Sequence, residues 1–118
     1  MKIKTSELTG AALDWAVVKC EGIERIDQLG GAWIEDPSDP YFNIRYQPST
    51  DWSQGGPIME REKLDFEWVA ADRCRAKYEW LDEPFAEGFG PTPLIAAMRC
   101  YVTIKLGDEV DVPEEILL

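Results

Sequence analysis

The chain has 118 residues, 45% of them hydrophobic and 30% charged, which is typical of one folded domain rather than a disordered tail. It carries 12 basic and 23 acidic residues, a formal charge of −11, which argues against direct binding of nucleic acid through a basic surface. Because there is no histidine, Ser-His-Asp and Cys-His catalysis are excluded, and the commonest transition-metal ligand is missing. We therefore predict a protein that is not an enzyme, with no catalytic residue, no metal and no cofactor.

The cysteines and the N-terminal segment indicate the compartment. Cys20, Cys74 and Cys100 are an odd number at wide spacing, which favours a reducing cytoplasm over secretion. Two lysines near the start have no apolar run behind them, so a signal peptide is not expected. No apolar run approaches the ~18 residues that cross a bilayer. We expect a single domain over residues 1–118 inside the cell, without a membrane partner.

The first predicted element is a helix. Ser6 is placed as its N-cap, and Leu8, Ala12 and Trp15 recur at helical spacing and should face the core. Gly22 can take the left-handed position that ends such a helix.

Two hairpins are predicted next. Residues 31–35 and 41–46 flank a DPSDP turn, with a connection longer than two residues, and residues 58–61 are a short strand. Residues 64–68 and 73–80 alternate between apolar and charged side chains, which indicates the clearest antiparallel hairpin of the chain.

A loop over residues 81–90 leads to the last helix, in which Pro91 or Pro93 occupies the first turn and Gly107 follows the end. Together these elements predict an α+β fold. It has a small antiparallel sheet of about four strands, packed with an N-terminal and a C-terminal helix.

Three blocks of the sequence resemble the NinX-like family of small phage proteins. They are MKIKTSELTGAALDWAV at the start, PSTDWSQGGPIMERE in the middle, and GPTPLIAAMRCYV followed by KLGDEV near the end. The resemblance implies an origin in tailed phages or prophages of Gram-negative bacteria and expression in the cytoplasm of the infected host. It supplies no mechanism, although small accessory proteins of phages often modify host physiology or blunt host defence.

The first candidate site is the segment 47–57, the least regular part of the chain. Trp52 has no apolar partner nearby in sequence, so we expect it to be partly exposed and free to stack on a planar ligand. The alternative is structural: Asp51 or Ser49 caps a single helical turn that the paired glycines end, and Trp52 fills the core.

The second candidate site is the glycine-rich stretch 88–94 together with Arg99. A loop of this kind entering a helix offers free N–H groups to an anion, although the spacing is not that of a P-loop. Thr92 is predicted either to cap the helix or to contact a phosphate. Arg99 is predicted to contact a phosphate or to form an internal salt bridge, which the many acidic residues favour.

A basic stripe on one predicted strand comprises Arg73, Arg75 and Lys77. It could bind an anion, but balancing Asp65, Glu67 and Glu79 across the hairpin is the favoured interpretation.

From these features we predict a phage accessory protein that binds and sequesters a small nucleotide-like signal of host defence. We expect it to be a homo-oligomer. The alternative is an acidic protein that inhibits a host protein or mimics nucleic acid. The predicted ligand-binding residues are Ser49, Thr50, Asp51, Trp52, Gln54, Gly55, Gly56, Gly90, Thr92 and Arg99.

Overall fold

The computed structural model describes residues 1–23, 26–28, 31–36, 38–78 and 87–117. Strand β1 (Lys2–Lys4) passes through a 3-10 turn into helix α1 (Gly10–Glu21). The predicted Ser6 cap is wrong, because Thr9 is the N-cap residue. The segment before α1 is held by a contact with the C-terminal part of the chain, in which the Thr5 hydroxyl donates a hydrogen bond to the carbonyl of Gly107 (2.6 Å). The C-terminal end of α1 at Gly22 is left-handed, as predicted.

The first predicted hairpin is confirmed and belongs to a sheet of order β2-β3-β4, with β2 (Ile26–Gln28), β3 (Gly31–Asp36) and β4 (Asp39–Arg45). Asp36 pairs with Asp39, so the connection is shorter than predicted. The Asp36 carboxylate accepts hydrogen bonds from the Ser38 main-chain N–H (2.9 Å) and hydroxyl (2.7 Å), which stabilises this tight turn.

Helix α2 (Trp52–Glu62) replaces the predicted strand 58–61 and the second half of the predicted loop 47–57, which are wrong there, whereas residues 47–51 are irregular as predicted. Asp51 caps it by accepting the Ser53 N–H at 2.9 Å, and the helix ends at Lys63 in a left-handed conformation. Ile58 and Met59 are buried, so the apolar residues assigned to a strand are the core face of this helix.

The second predicted hairpin is confirmed as β5 (Leu64–Ala70) and β6 (Arg73–Tyr78), joined by β7 (Gly88–Gly90) in the antiparallel order β5-β6-β7. β7 lies in the stretch predicted as loop. The rest of that loop prediction, and the end of the predicted strand at residues 79–80, lie outside the described residues.

The predicted last helix is confirmed as α3 (Pro93–Leu106), after which β8 (Glu109–Asp111) pairs with β1 and a short α4 (Glu114–Leu117) follows. α3 is the centre of the core and packs against α1, β6 and β7. The α+β class is confirmed, with the described strands in three small antiparallel sheets rather than one. Within the described ranges, no helix is long and apolar enough to cross a membrane.

Candidate functional site

Trp52 is the first residue of α2, and 54% of it is exposed. Its ring lies over Gly56, and a Cβ at that glycine would be 3.7 Å from Cε3 of the indole. Thr50, just before the helix, is exposed as well. The interpretation in which Trp52 fills the core is therefore wrong, and the indole is accessible to a planar ligand.

Two other predicted residues of this segment are engaged in holding the fold. Asp51 caps α2. The Gln54 side chain accepts the Gln47 N–H at 2.6 Å and donates to the carbonyl of Arg45 at 3.1 Å, so it fixes the chain that leaves β4. Their polar groups therefore already have partners within the protein.

Ser49 and Gly55 are buried beneath the same segment. The Ser49 N–H donates to Oδ1 of the buried Asp14 at 2.9 Å, and burial raises the pKa of Asp14 to about 6. A Cβ at Gly55 would collide with the carbonyl oxygen of Pro48 and lie 2.8 Å from Cδ2 of Leu94. Neither residue is open to a ligand.

Trp52→Ala is expected to cost about 1 kcal/mol of stability or less, because the side chain makes few core contacts. The matched control is Trp15→Ala in α1, where the side chain is only 4% exposed and the cost should be about 3–5 kcal/mol. Thermal unfolding of both variants without ligand checks this, at roughly 4 °C per kcal/mol. Equal losses of melting temperature would contradict the exposed position of Trp52.

A groove of about 440 Å³ lies at the other candidate site, between β7, α3 and the 3-10 turn. Its lining residues are Ser6, Asp72, Arg73, Glu87, Gly88, Phe89, Gly90, Pro91, Arg99 and Thr103. A second space of about 330 Å³ shares Ser6, Glu87 and Thr103 with it and extends to β8. β7 reaches α3 this closely because Gly88 lacks a side chain, and a Cβ there would collide with the carbonyl oxygen of Ala96.

Arg99 is the polar centre of this groove. Its Nε donates to the carbonyl of Leu8 at 2.9 Å and its Nη1 to the carbonyl of Phe89 at 2.7 Å. The predicted salt bridge is not formed with any Asp or Glu of the described ranges. Burial lowers the pKa of the guanidinium, which nevertheless remains charged at neutral pH. A guanidinium has five N–H groups, so donors remain beyond these two bonds.

Arg73 and Phe89 form a flat wall beside it. The Arg73 guanidinium carbon lies 4.5 Å from the centroid of the Phe89 ring, within the range of a cation–π contact. Arg75, from the same basic stripe, instead pairs with Glu67 and Glu87, both at 3.3 Å. Charge balance is therefore confirmed for Arg75, whereas Arg73 lines the groove.

The structure divides the predicted site residues between two places. Gly90 and Arg99 line the groove together, whereas Thr92 caps α3 by accepting the Ile95 N–H at 3.2 Å. Trp52 is not part of the groove lining. Ser6 and Thr103 also line the groove, and no sequence pattern indicates this because only the fold brings their distant segments beside β7.

Another ion-pair cluster of the described residues lies away from the groove and joins secondary-structure elements. Arg61 makes two hydrogen bonds to the carboxylate of Glu21, at 2.6 and 3.0 Å, and the Tyr101 hydroxyl donates to the same carboxylate at 2.5 Å. Burial acts to raise the pKa of Glu21, but these hydrogen bonds outweigh it and lower the pKa overall. The cluster joins α1, α2 and α3.

A search of curated proteins finds no match to the chain. Among protein-family models, the one described as "Bacteriophage P22, NinX" matches residues 4–105. That span includes every residue that lines the 440 Å³ groove as well as Trp52. Because the match covers most of the 118 residues, the chain belongs to the bacteriophage P22 NinX family.

Proposed function

We propose that this phage protein binds and sequesters a small nucleotide-like signal of host defence in the cytoplasm of the infected cell, without catalysing its conversion. The observation that carries the proposal is Arg99. It is a cation without a carboxylate partner among the described residues, and it lies in the wall of a groove of about 440 Å³. Grooves of roughly 300–1,000 Å³ are the usual size for small-molecule sites.

The groove offers a separate contact for each part of such a ligand. The remaining N–H groups of Arg99 suit a phosphate oxygen, because guanidinium and phosphate form strong charge-assisted hydrogen bonds. The stacked Arg73 and Phe89 side chains suit the face of a base. Gly88 and Gly90 are buried and let β7 pack closely against α3, which fixes the position of this wall of the groove.

The acidic residues of the groove limit the charge of the ligand. Asp72 and Glu87 also line it, and among the ion pairs of the described residues only the one between Glu87 and Arg75 offsets either charge. A ligand with one or two phosphate charges is therefore favoured over a polyphosphate or a nucleic-acid strand. A homo-oligomer, in which neighbouring subunits would complete the open groove, is part of the same proposal.

Thermal unfolding with a panel of linear and cyclic mono- and dinucleotides tests the proposal, together with mass spectrometry of small molecules released when the purified protein is denatured. A ligand at 100 times its Kd should stabilise the protein by about 2.7 kcal/mol, roughly 10 °C here. If no nucleotide raises the melting temperature and no small molecule is released, the proposal is wrong.

Arg73→Ala and Arg99→Lys are expected to weaken nucleotide binding at least tenfold, a loss of about 1.4 kcal/mol or more. The first removes the guanidinium part of the stacking surface together with its positive charge, and the second keeps the charge of Arg99 but loses the planar set of guanidinium N–H donors. Lys77→Ala is the matched control, because Lys77 lies on the same strand but not in the groove. Affinity is measured by titration calorimetry alongside the ligand-free melting temperature. Binding that survives Arg73→Ala and is abolished by Trp52→Ala would move the site to α2.

A further inference from the structure

Strand β5 is an exposed edge of its sheet. Among the described strands it pairs only with β6, and residues 65–70 are all exposed. Three apolar side chains contribute to this surface: Phe66 is 40% exposed, Trp68 54% and Val69 48%. Such an edge carries unpaired main-chain groups that can bind a further strand.

One face of β5 is acidic. Asp65 lies opposite Lys77 and Glu67 opposite Arg75, and Glu67 and Arg75 form an ion pair at 3.3 Å. On this face, the acidic side chains of the edge strand β5 therefore lie opposite basic side chains of β6. The next strand outward would be stabilised by basic side chains at the positions beside Asp65 and Glu67.

The opposite face of β5 is apolar. Phe66 lies opposite Ala76, and Trp68 opposite Cys74. Ala76 and Cys74 are buried, whereas the two aromatic side chains at the outer edge are about half exposed. An added strand would cover them with apolar side chains and remove this surface from water.

One main-chain group at this edge is hydrogen-bonded to the strand's own side chain. The Phe66 N–H donates to Oδ1 of Asp65 at 2.9 Å rather than to β6. Because inward and outward N–H groups alternate along a strand, the N–H of Trp68 points to the same open side. A carbonyl group of an incoming strand can accept the Phe66 N–H once a basic side chain of that strand pairs with the Asp65 carboxylate.

We infer that the β5 edge binds an extended segment of another protein in which basic and apolar residues alternate. A second copy of this chain does not fit, because pairing β5 with β5 would place Asp65 and Glu67 beside the same acidic residues. The surface shares no residue with the 440 Å³ groove, so it is independent of the nucleotide proposal.

The test uses a labelled ten-residue peptide of alternating Lys and Val and a matched peptide of alternating Glu and Val, with fluorescence anisotropy as the readout. The Lys peptide should bind at least tenfold more tightly. Asp65→Lys and Trp68→Ala should each weaken its binding at least fivefold, whereas Trp52→Ala, which removes an equally exposed indole, should leave it unchanged.

Main-chain pairing is tested with two further Lys peptides. One is N-methylated at every Lys and the other at every Val, so that each has its N–H groups blocked along one of its two edges. Only one of the two should bind, because a single edge faces β5. Equal binding of both, equal binding of the Lys and Glu peptides, or no binding at ~1 mM peptide would overturn the inference. Sedimentation that shows a dimer lost in Trp68→Ala would identify a second copy as the occupant instead.

Discussion

Gly55→Ala is expected to destabilise the protein by about 2–3 kcal/mol, whereas the same change at the adjacent Gly56 is expected to stabilise it by about 1 kcal/mol. Both glycines lie inside α2, where alanine is the better helix former. A Cβ at Gly55, however, would collide with the carbonyl oxygen of Pro48 and press on the side chain of Leu94. At Gly56 the nearest atom is Cε3 of Trp52, at an ordinary contact distance of 3.7 Å.

Denaturant unfolding of the two single variants measures this difference directly. Since the substitutions are identical and adjacent in one helix, the gain in helix propensity is similar and the contrast of ~3–4 kcal/mol isolates the packing against Pro48. A destabilisation by Gly56→Ala as large as that by Gly55→Ala would contradict this packing of α2.

The predictable parts of the fold are those with clean local signals. α3 was predicted because apolar residues recur at helical spacing between a proline and Gly107, and β5–β6 because its side chains alternate with period two. The start of α1 was missed because Thr5 is fixed by Gly107, more than 100 residues away in the chain. No local pattern reports such a contact.

α2 was predicted only as a single turn capped by Asp51 or Ser49, as the alternative to a loop, and its full length was missed for a different reason. A Gly-Gly-Pro sequence has poor helix propensity, so local preference predicts a loop. The helix forms because Asp51 caps it, because Ile58 and Met59 reach the core, and because only glycine fits at position 55 against Pro48. The glycine at position 55, which makes the segment look irregular in sequence, is therefore the residue that tertiary packing requires there.

The candidate site was predictable only in part. Arg99 and Gly90 could be found from the glycine-rich approach to a helix, and the structure places both in one groove. The salt bridge expected for Arg99 from the number of acidic residues does not occur with any carboxylate of the described ranges. Carbonyl oxygens of Leu8 and Phe89 surround the guanidinium instead, and composition carries no information about main-chain acceptors.

Asp14 makes the stability of the protein depend on pH in a direction opposite to that of a salt-bridged carboxylate. The side chain is only 4% exposed, and burial raises its pKa from 3.8 to about 6, although the hydrogen bonds from Ser49 and the charge of Arg45 act to lower it. Between these two pH values the folded state holds a proton that the unfolded state has released. The contribution of Asp14 to stability is therefore greatest below pH 3.8 and falls by about 3 kcal/mol as the pH rises through 6.

Asp14→Asn is expected to remove this dependence. The amide keeps an oxygen that can accept the Ser49 N–H but carries no charge, so the stability of the variant relative to the original protein should rise by about 2.4 kcal/mol between pH 4 and pH 7 and then stay level. Denaturant unfolding at intervals between those pH values measures the difference, and the repulsion among the other carboxylates cancels between the two proteins. Asp36→Asn is the control of opposite sign, because hydrogen bonds from Ser38 lower the pKa of Asp36 and its charged form is the favoured one. A constant difference between the Asp14 variant and the original protein at every pH would show that the carboxyl is not held in a desolvated site.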